Sequence, residues 1–145
     1  MGIFGERRGA AESEIDLFIS QQIVLPQVFL KPAENEEHFR IYGHSLYVAN
    51  RLELLKRSAA AGEPFWQGKV FLKCREAIDN KPIKSKVYDV VFEDKIIGEI
   101  SEFDTKARGL FAFELDSKYV ARAVIRADLI GNLVHLFVNP DNRIN

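Results

Sequence analysis

Residues 69–75 read Lys-Val-Phe-Leu-Lys-Cys-Arg, a run in which apolar side chains alternate with cations and one phenylalanine. Successive side chains of a β-strand point to opposite faces of a sheet, so this run predicts a strand with two different faces. The face expected in the core carries Val70, Leu72 and Cys74. The face expected outside carries Lys69, Phe71, Lys73 and Arg75.

Further strands are predicted on both sides of this run, because β-branched and aromatic residues recur there between turn residues. They cover residues 38–42, 86–92, 95–100, 119–126 and 133–138. Turns are expected at Glu93-Asp94 and at Gly131-Asn132. Pro140 is expected to end the last strand, because proline cannot donate to a ladder.

Between the strand predicted at residues 38–42 and the run at 69–75, apolar residues recur at the spacing of a helix. Ser45 is the predicted cap of a helix from Leu46 to about Ala60. Its apolar stripe is Val48, Leu52, Leu55 and Ala59. A second, short helix is predicted to begin within residues 101–104 and to end at Gly109. Near the amino terminus, a helix at 13–20 and an edge strand at 23–30 complete the prediction.

These elements predict an α+β fold. We expect a small curved antiparallel β-sheet or an OB-like barrel with two or three short helices, since short strands need their edges closed or covered. The barrel domain is expected over residues 38–140, and residues 1–37 form an N-terminal extension.

Composition limits the class of protein. The chain has 145 residues, of which 47% are hydrophobic and 28% charged, which is typical of one globular domain. Cys74 is the only cysteine, so no internal disulfide can form, and a cytoplasmic location is expected. No apolar run approaches the roughly 20 residues of a membrane helix, so no membrane partner is expected.

The net charge of −1 hides two blocks of opposite sign. Residues 11–37 contain six acids and one lysine, whereas residues 68–86 contain six cations and two acids. Such blocks are commonly solvated faces. The alternative is a positive surface that holds a phosphate backbone.

Residues that carry chemistry are sparse. The three histidines, His38, His44 and His135, stand in different contexts, and no strand or helix pairing is expected to set them together as metal ligands. Cys74 is expected to be an inert buried thiol. No glycine-rich phosphate loop occurs, so we expect no cofactor and no enzymatic activity.

The basic strand suggests a binding surface. Exposed aromatic rings stack bases and flanking cations neutralise phosphates in sheets that bind single strands. Lys81, Lys84 and Lys86 follow the strand and extend its positive charge. The alternative is that Phe71 packs beneath another element and that the cations only keep the chain soluble.

From about residue 38 to residue 138, the order of features resembles the HIRAN domain of the stand-alone bacterial type. The elements that carry the resemblance are Ile41-Tyr42-Gly43, Ser45, Tyr47, the strand Val70 to Glu76, Asp79-Asn80, the strand Val87 to Phe92, and Ile97-Gly98-Glu99-Ile100. A short helix and a terminal hairpin follow in the same order.

This resemblance implies a modified OB-like barrel that binds single-stranded DNA and free 3′ ends. The implied pocket combines Ser45, Leu46 and Tyr47 with the loop Asn80 to Lys84 and the hairpin near Arg126. The chain departs from the family pattern in that loop, which lacks an acid, and at Glu99, which can be histidine in members that bind DNA.

Two functions follow from these patterns. The first is a non-enzymatic module that binds single-stranded DNA through Tyr47, Lys69, Phe71, Lys73, Arg75, Asn80, Lys81, Lys84 and Arg126. The second is a protein-interaction or self-association domain on the same fold, in which residues 11–37 meet a protein partner or a second copy of the chain.

Overall fold

The computed structural model describes residues 31–42, 46–126 and 133–144, which form one antiparallel sheet of six strands and two helices. The strands are β1 (Glu37–Tyr42), β2 (Trp66–Glu76), β3 (Lys86–Phe92), β4 (Lys95–Ser101), β5 (Lys118–Ile125) and β6 (Leu133–Ile144). The helices are α1 (Val48–Ala60) and α2 (Thr105–Leu110).

The sheet has the strand order β1-β6-β5-β2-β3-β4 and curls into a half-barrel, so that the two end strands β1 and β4 approach each other. This confirms the predicted α+β fold with a curved antiparallel sheet. The helix predicted at 13–20, the strand predicted at 23–30 and the turn predicted at Gly131-Asn132 lie outside the described residues.

The alternation predicted for β2 is confirmed. Val70 and Leu72 are fully buried and Cys74 is 6% exposed, whereas the intervening Lys69 and Lys73 are exposed. Burial raises the pKa of the Cys74 thiol, as expected for an inert sulfur. β2 pairs with both β3 and β5, so its inner face lies at the centre of the core.

Gly68 allows the indole of Trp66 to lie across the inner face of β2. A Cβ atom added at Gly68 would lie 2.6 Å from Cζ2 of Trp66, too close for any side chain. The indole packs edge-on against Phe92 of β3, with ring centroids 4.8 Å apart. The glycine is therefore a packing requirement of the curled sheet.

The gap between β1 and β4 is filled by α2 and the aromatic residues that follow it. Asp104 caps α2 by accepting a hydrogen bond from the backbone N–H of Ala107 at 3.0 Å, close to the predicted helix start. Lys106 Nζ donates to the carbonyl of His38 on β1 at 2.8 Å. Phe111 packs edge-on against Phe39 of β1, with ring centroids 6.0 Å apart.

Helix α1 covers the free edge of β4. Asn50 Nδ2 donates to the carbonyl of Ile96 at 2.8 Å, and Arg51 Nη1 donates to the carbonyl of Ile97 at 2.8 Å. Arg51 Nη1 also reaches the carbonyl of Leu46 at 2.6 Å. Unpaired strand edges invite further pairing, so these side chains shield β4 from other chains.

The predicted apolar stripe of α1 is confirmed in part, since Leu55 is buried and Leu52 and Ala59 pack against the core, but the buried face of the helix is centred elsewhere. The buried residues are Arg51, Leu54, Leu55 and Ser58, whereas Val48, Leu52 and Ala59 are only partly buried. The helix is rotated because the guanidinium of Arg51 takes a place in the interior, where it satisfies backbone carbonyls. A charged residue was not expected on the inner face.

The predicted end of the last strand was also wrong. β6 continues through Pro140 to Ile144 and pairs again with β5 at Arg143 and Ile144. Residues 139–142 lie opposite the single residue Val120, so the strand bulges outward there. Pro140 is tolerated because it stands inside the bulge, where no ladder hydrogen bond is needed.

Replacing Arg51 by Met should destabilise the fold by about 2–3 kcal/mol, because a buried carbonyl that loses its donor costs about 1–3 kcal/mol. Urea unfolding measures this change. The control is Arg57→Met, since Arg57 makes only exposed ion pairs with Glu53 and Glu93, worth about 0–1 kcal/mol. Equal losses in the two variants would contradict the role assigned to Arg51.

Candidate nucleic-acid interface

The outward face of β2 meets the outward face of β5 in a fixed register. Lys69 lies opposite Arg122, Phe71 opposite Val120, and Lys73 opposite Lys118. Phe71 is 42% exposed, so it does not pack beneath α1 or another described element, and the amino-terminal segment up to residue 30 lies outside the described residues. The structure thus places an accessible ring between two cross-strand pairs of cations.

Neither Lys69 nor Lys73 forms a salt bridge with an acid among the described residues. Lys69 Nζ lies 5.9 Å from the centroid of the Phe71 ring. Lys73 stands opposite Asp89 of β3. The two carboxylate oxygens of Asp89 accept from Nε and Nη2 of Arg75 at 2.7 and 3.0 Å, so that acid is already satisfied.

Arg75 and Tyr47 belong to a separate polar network. Arg75 Nη2 also lies 3.3 Å from Oε2 of Glu99, and the Tyr47 hydroxyl donates to the same oxygen at 2.7 Å. Burial, followed by the hydrogen bond to Glu99, raises the pKa of Tyr47. The donors of Arg75 are taken by protein acids, which makes it a weaker phosphate ligand than the lysines beside it.

The remaining predicted residues lie at two opposite ends of the sheet. Asn80, Lys81 and Lys84 belong to the loop after β2, where the ammonium of Lys84 donates to the Asp79 carbonyl. Arg126 follows the last residue of β5, which pairs with Trp66 at the start of β2. The length of β2 separates the two groups by about 30 Å. The pocket implied by the HIRAN resemblance would need them together.

An open groove of about 490 Å³ adjoins the outward face and was not predicted from the sequence. Its lining includes Glu34, Glu36, Gln67, Lys69, Val120, Arg122, Phe137, Asn139 and Asn142. The bulge of β6 forms one wall. The Asn-Pro-Asp-Asn composition of residues 139–142 was the available signal, since these residues favour turns.

Arg122 is held at the rim of this groove. Its guanidinium lies 4.1 Å from the centroid of the Phe137 ring and donates from Nη2 to Oε1 of Glu36 at 2.8 Å. Glu36 lies within the acidic block noted in the sequence. The described part of that block, residues 31–37, therefore touches one end of the cationic row at Arg122.

His38 and His135 lie side by side, which corrects the expectation that no strand pairing brings two histidines together. β1 and β6 are neighbours, and His38 Nε2 lies 2.9 Å from His135 Nδ1. His38 also stacks on Phe137, with ring centroids 4.8 Å apart. His135 is 4% exposed, and its Nε2 has no hydrogen-bond partner among the described residues.

Within the described ranges, no group of three or more His, Cys, Asp or Glu side chains is placed to hold a metal ion. In the same part of the chain, no helix combines the length and the apolar character needed to cross a membrane.

Comparison of the chain with protein-family models, curated proteins and solved structures finds no match. The resemblance to the HIRAN domain therefore stays a prediction.

The buried histidine should make stability depend on pH. Burial, and then the charges of His38, Arg126 and Arg40, lower the pKa of His135 from 6.5 to about 4. A lowered folded-state pKa means that the unfolded chain binds the extra proton first. The contribution of neutral His135 to the free energy of unfolding is therefore complete above about pH 6.5 and is lost as the pH falls toward 4.

This loss should reach about 3 kcal/mol, since one pKa unit corresponds to about 1.4 kcal/mol. Urea unfolding of the wild type and of His135→Gln from about pH 7 to about pH 4.5 measures it. The wild type should lose more stability than the variant over this range. Parallel pH profiles would contradict the assignment.

Proposed function

We propose that this chain binds single-stranded nucleic acid, with single-stranded DNA as the ligand to test, on a surface we name the β2–β5 face. It consists of Lys69, Phe71, Lys73, Lys118, Val120 and Arg122. The observation that carries the proposal is an exposed phenylalanine flanked along β2 by two lysines that form no ion pair among the described residues, of which Lys73 lies opposite a second cation, Lys118.

Like charges placed directly opposite each other destabilise a sheet. The pair Lys73–Lys118 gains nothing for the fold, since no described acid within salt-bridge distance compensates either ammonium. A polyanion lying across β2 and β5 would turn this repulsion into attraction. The arrangement therefore favours a phosphate-bearing ligand.

Phe71 supplies the second element that a single-strand binder needs. An accessible ring stacks any base, and each stacked base contributes about 1–3 kcal/mol. The lysines lie two residues away on either side along β2, which places their Cα atoms about 7 Å from that of Phe71. The faces of the bases are stacked and inaccessible in a duplex, so an exposed ring beside cations favours binding of an unpaired strand.

The HIRAN resemblance supports the same class of ligand but implies a different pocket. Within that pocket, the length of β2 separates the loop at residues 80–84 from Arg126, and Tyr47 bonds to Glu99. The proposal therefore rests on the β2–β5 face and leaves out the end-binding pocket.

A protein-interaction domain is the second candidate, favoured by exposed apolar residues at one end of the sheet. Ile78 is 93% exposed, Ile83 85% and Phe103 68%. Glu102 Oε1 accepts from the backbone N–H of Lys86 at 2.6 Å, which brings Phe103 close to the loop that bears both isoleucines. Such a patch fits a protein partner. Most of residues 11–37, the other partner surface predicted, lies outside the described residues.

The charge of the β2–β5 face can be tested by fluorescence anisotropy with a labelled oligo(dT), at about 50 and about 200 mM salt. Affinity should fall with salt, because each neutralised phosphate adds about 0.7 to the log–log slope for a single strand. Lys69→Glu/Lys73→Glu should abolish binding at both salt concentrations. The control Lys56→Glu/Arg108→Glu makes the same change in net charge on exposed positions of α1 and α2.

Full binding by Lys69→Glu/Lys73→Glu would place the ligand elsewhere. Equal loss in both double variants would mean that only net charge matters. No binding by the wild type at low salt would leave the protein-interaction candidate in its place.

Replacing Phe71 by Ala should weaken oligo(dT) binding by about 1–3 kcal/mol while leaving the salt slope unchanged, because the ring stacks a base and carries no charge. The matched control is Phe103→Ala, which removes an exposed ring that follows β4, a strand separated from β5 by β2 and β3. If the affinity for oligo(dT) falls with Phe103→Ala but not with Phe71→Ala, the base stacks on Phe103 at the apolar end of the sheet and the role of Phe71 is contradicted.

A further inference from the structure

The groove beside the β2–β5 face presents carboxamide side chains that the fold does not use. Gln67 projects from β2, while Asn139 and Asn142 belong to the bulge of β6. Within the described part of the chain, the side chains of Gln67 and Asn142 make no hydrogen bond. Asn139 Oδ1 accepts from the backbone N–H of Asp141 at 3.0 Å, which shapes the bulge and leaves its amide nitrogen available.

The groove adjoins the exposed ring directly. Val120 lies opposite Phe71 in the β2–β5 register and also lines the groove, and Lys69 lines the groove beside Phe71. A strand stacked on Phe71 with a phosphate at Lys69 would therefore place the neighbouring base in the groove. The volume of about 490 Å³ lies within the range of ligand clefts, about 300–1,000 Å³.

The polar side chains that line the groove determine which base can form hydrogen bonds there. A carboxamide offers a donor and an acceptor side by side, which match the N6 and N7 atoms of adenine. Guanine is read by Arg or Lys and cytosine by an acid. Arg122 and Glu36, which line the same groove, bond to each other and are occupied, and Lys69 is assigned to the phosphate. The remaining charged residue of the lining, Glu34, would accept from cytosine, which both test oligonucleotides contain equally.

We infer that this groove is a base-reading subsite for adenine, with Gln67 and Asn142 as its readers and Asn139 as an additional donor. The inference rests on the proposed function, since it needs a strand held at Lys69 and Phe71. It adds base preference to a surface that otherwise binds any unpaired strand.

The test compares two labelled octamers, one of alternating dC and dA and one of alternating dC and dT, which share a backbone and cannot pair with themselves. The wild type should bind the dA octamer about tenfold more tightly, within the discrimination of a bidentate pair. Gln67→Ala/Asn142→Ala should remove this preference and leave the salt slope and the affinity for the dT octamer unchanged. Both side chains are exposed, so the fold should be kept, as circular dichroism can verify.

The matched control is Thr105→Ala, which shortens an exposed, uncharged polar side chain on α2, outside the groove and outside the predicted nucleic-acid-binding residues. It should leave the preference intact. Equal binding of both octamers by the wild type, or a preference that survives Gln67→Ala/Asn142→Ala, would overturn the base-reading role while salt-dependent binding keeps the proposed function. A preference lost with Thr105→Ala would also overturn it. Absence of any binding would overturn both.

Discussion

Burial of the inner face of β2 is the constraint on which the rest of the structure depends. β2 lies between β5 and β3, and Val70 and Leu72 have no exposed surface. Since side chains alternate along a strand, that burial forces Lys69, Phe71 and Lys73 outward together. The hydrophobic core and the positive outer surface are thus two results of one pattern, and a shift of register by one residue would destroy both.

The two end strands of the sheet are protected by different devices. On β4, side chains of α1 donate to the carbonyls of Ile96 and Ile97. On β1, Lys106 from α2 donates to the carbonyl of His38. Both devices use polar side chains in place of a further strand to satisfy carbonyls of the two end strands of the half-barrel.

The charge and polarity of the outer face change along its length. Around Phe71 it is cationic, around Arg75 its charge is balanced by Asp89 and Glu99, and beside β6 it opens into a groove with free carboxamides. The bulge at residues 139–142 forms part of this last region, because four residues of β6 lie opposite Val120 alone and two of them, Asn139 and Asn142, line the groove. One irregularity of a strand therefore sets the shape of the site.

Much of this fold could be predicted because local periodicity reports which residues face the core. The alternation in β2, the strand at Lys86–Phe92 and the turn at Glu93-Asp94, where both residues have positive φ, follow from neighbouring residues alone. The sequence by itself therefore determined the α+β class and the outward row at Lys69 and Phe71.

Only the tertiary structure decided what surrounds that row. The inward turn of Arg51 depends on carbonyls of a strand 46 residues away, and the contact of His38 with His135 joins residues 97 positions apart. Likewise, Glu99 comes to Arg75 through pairing with β3, and the groove needs β2, β5 and β6 together. Such contacts join residues that are distant in the chain, so no local pattern contains them.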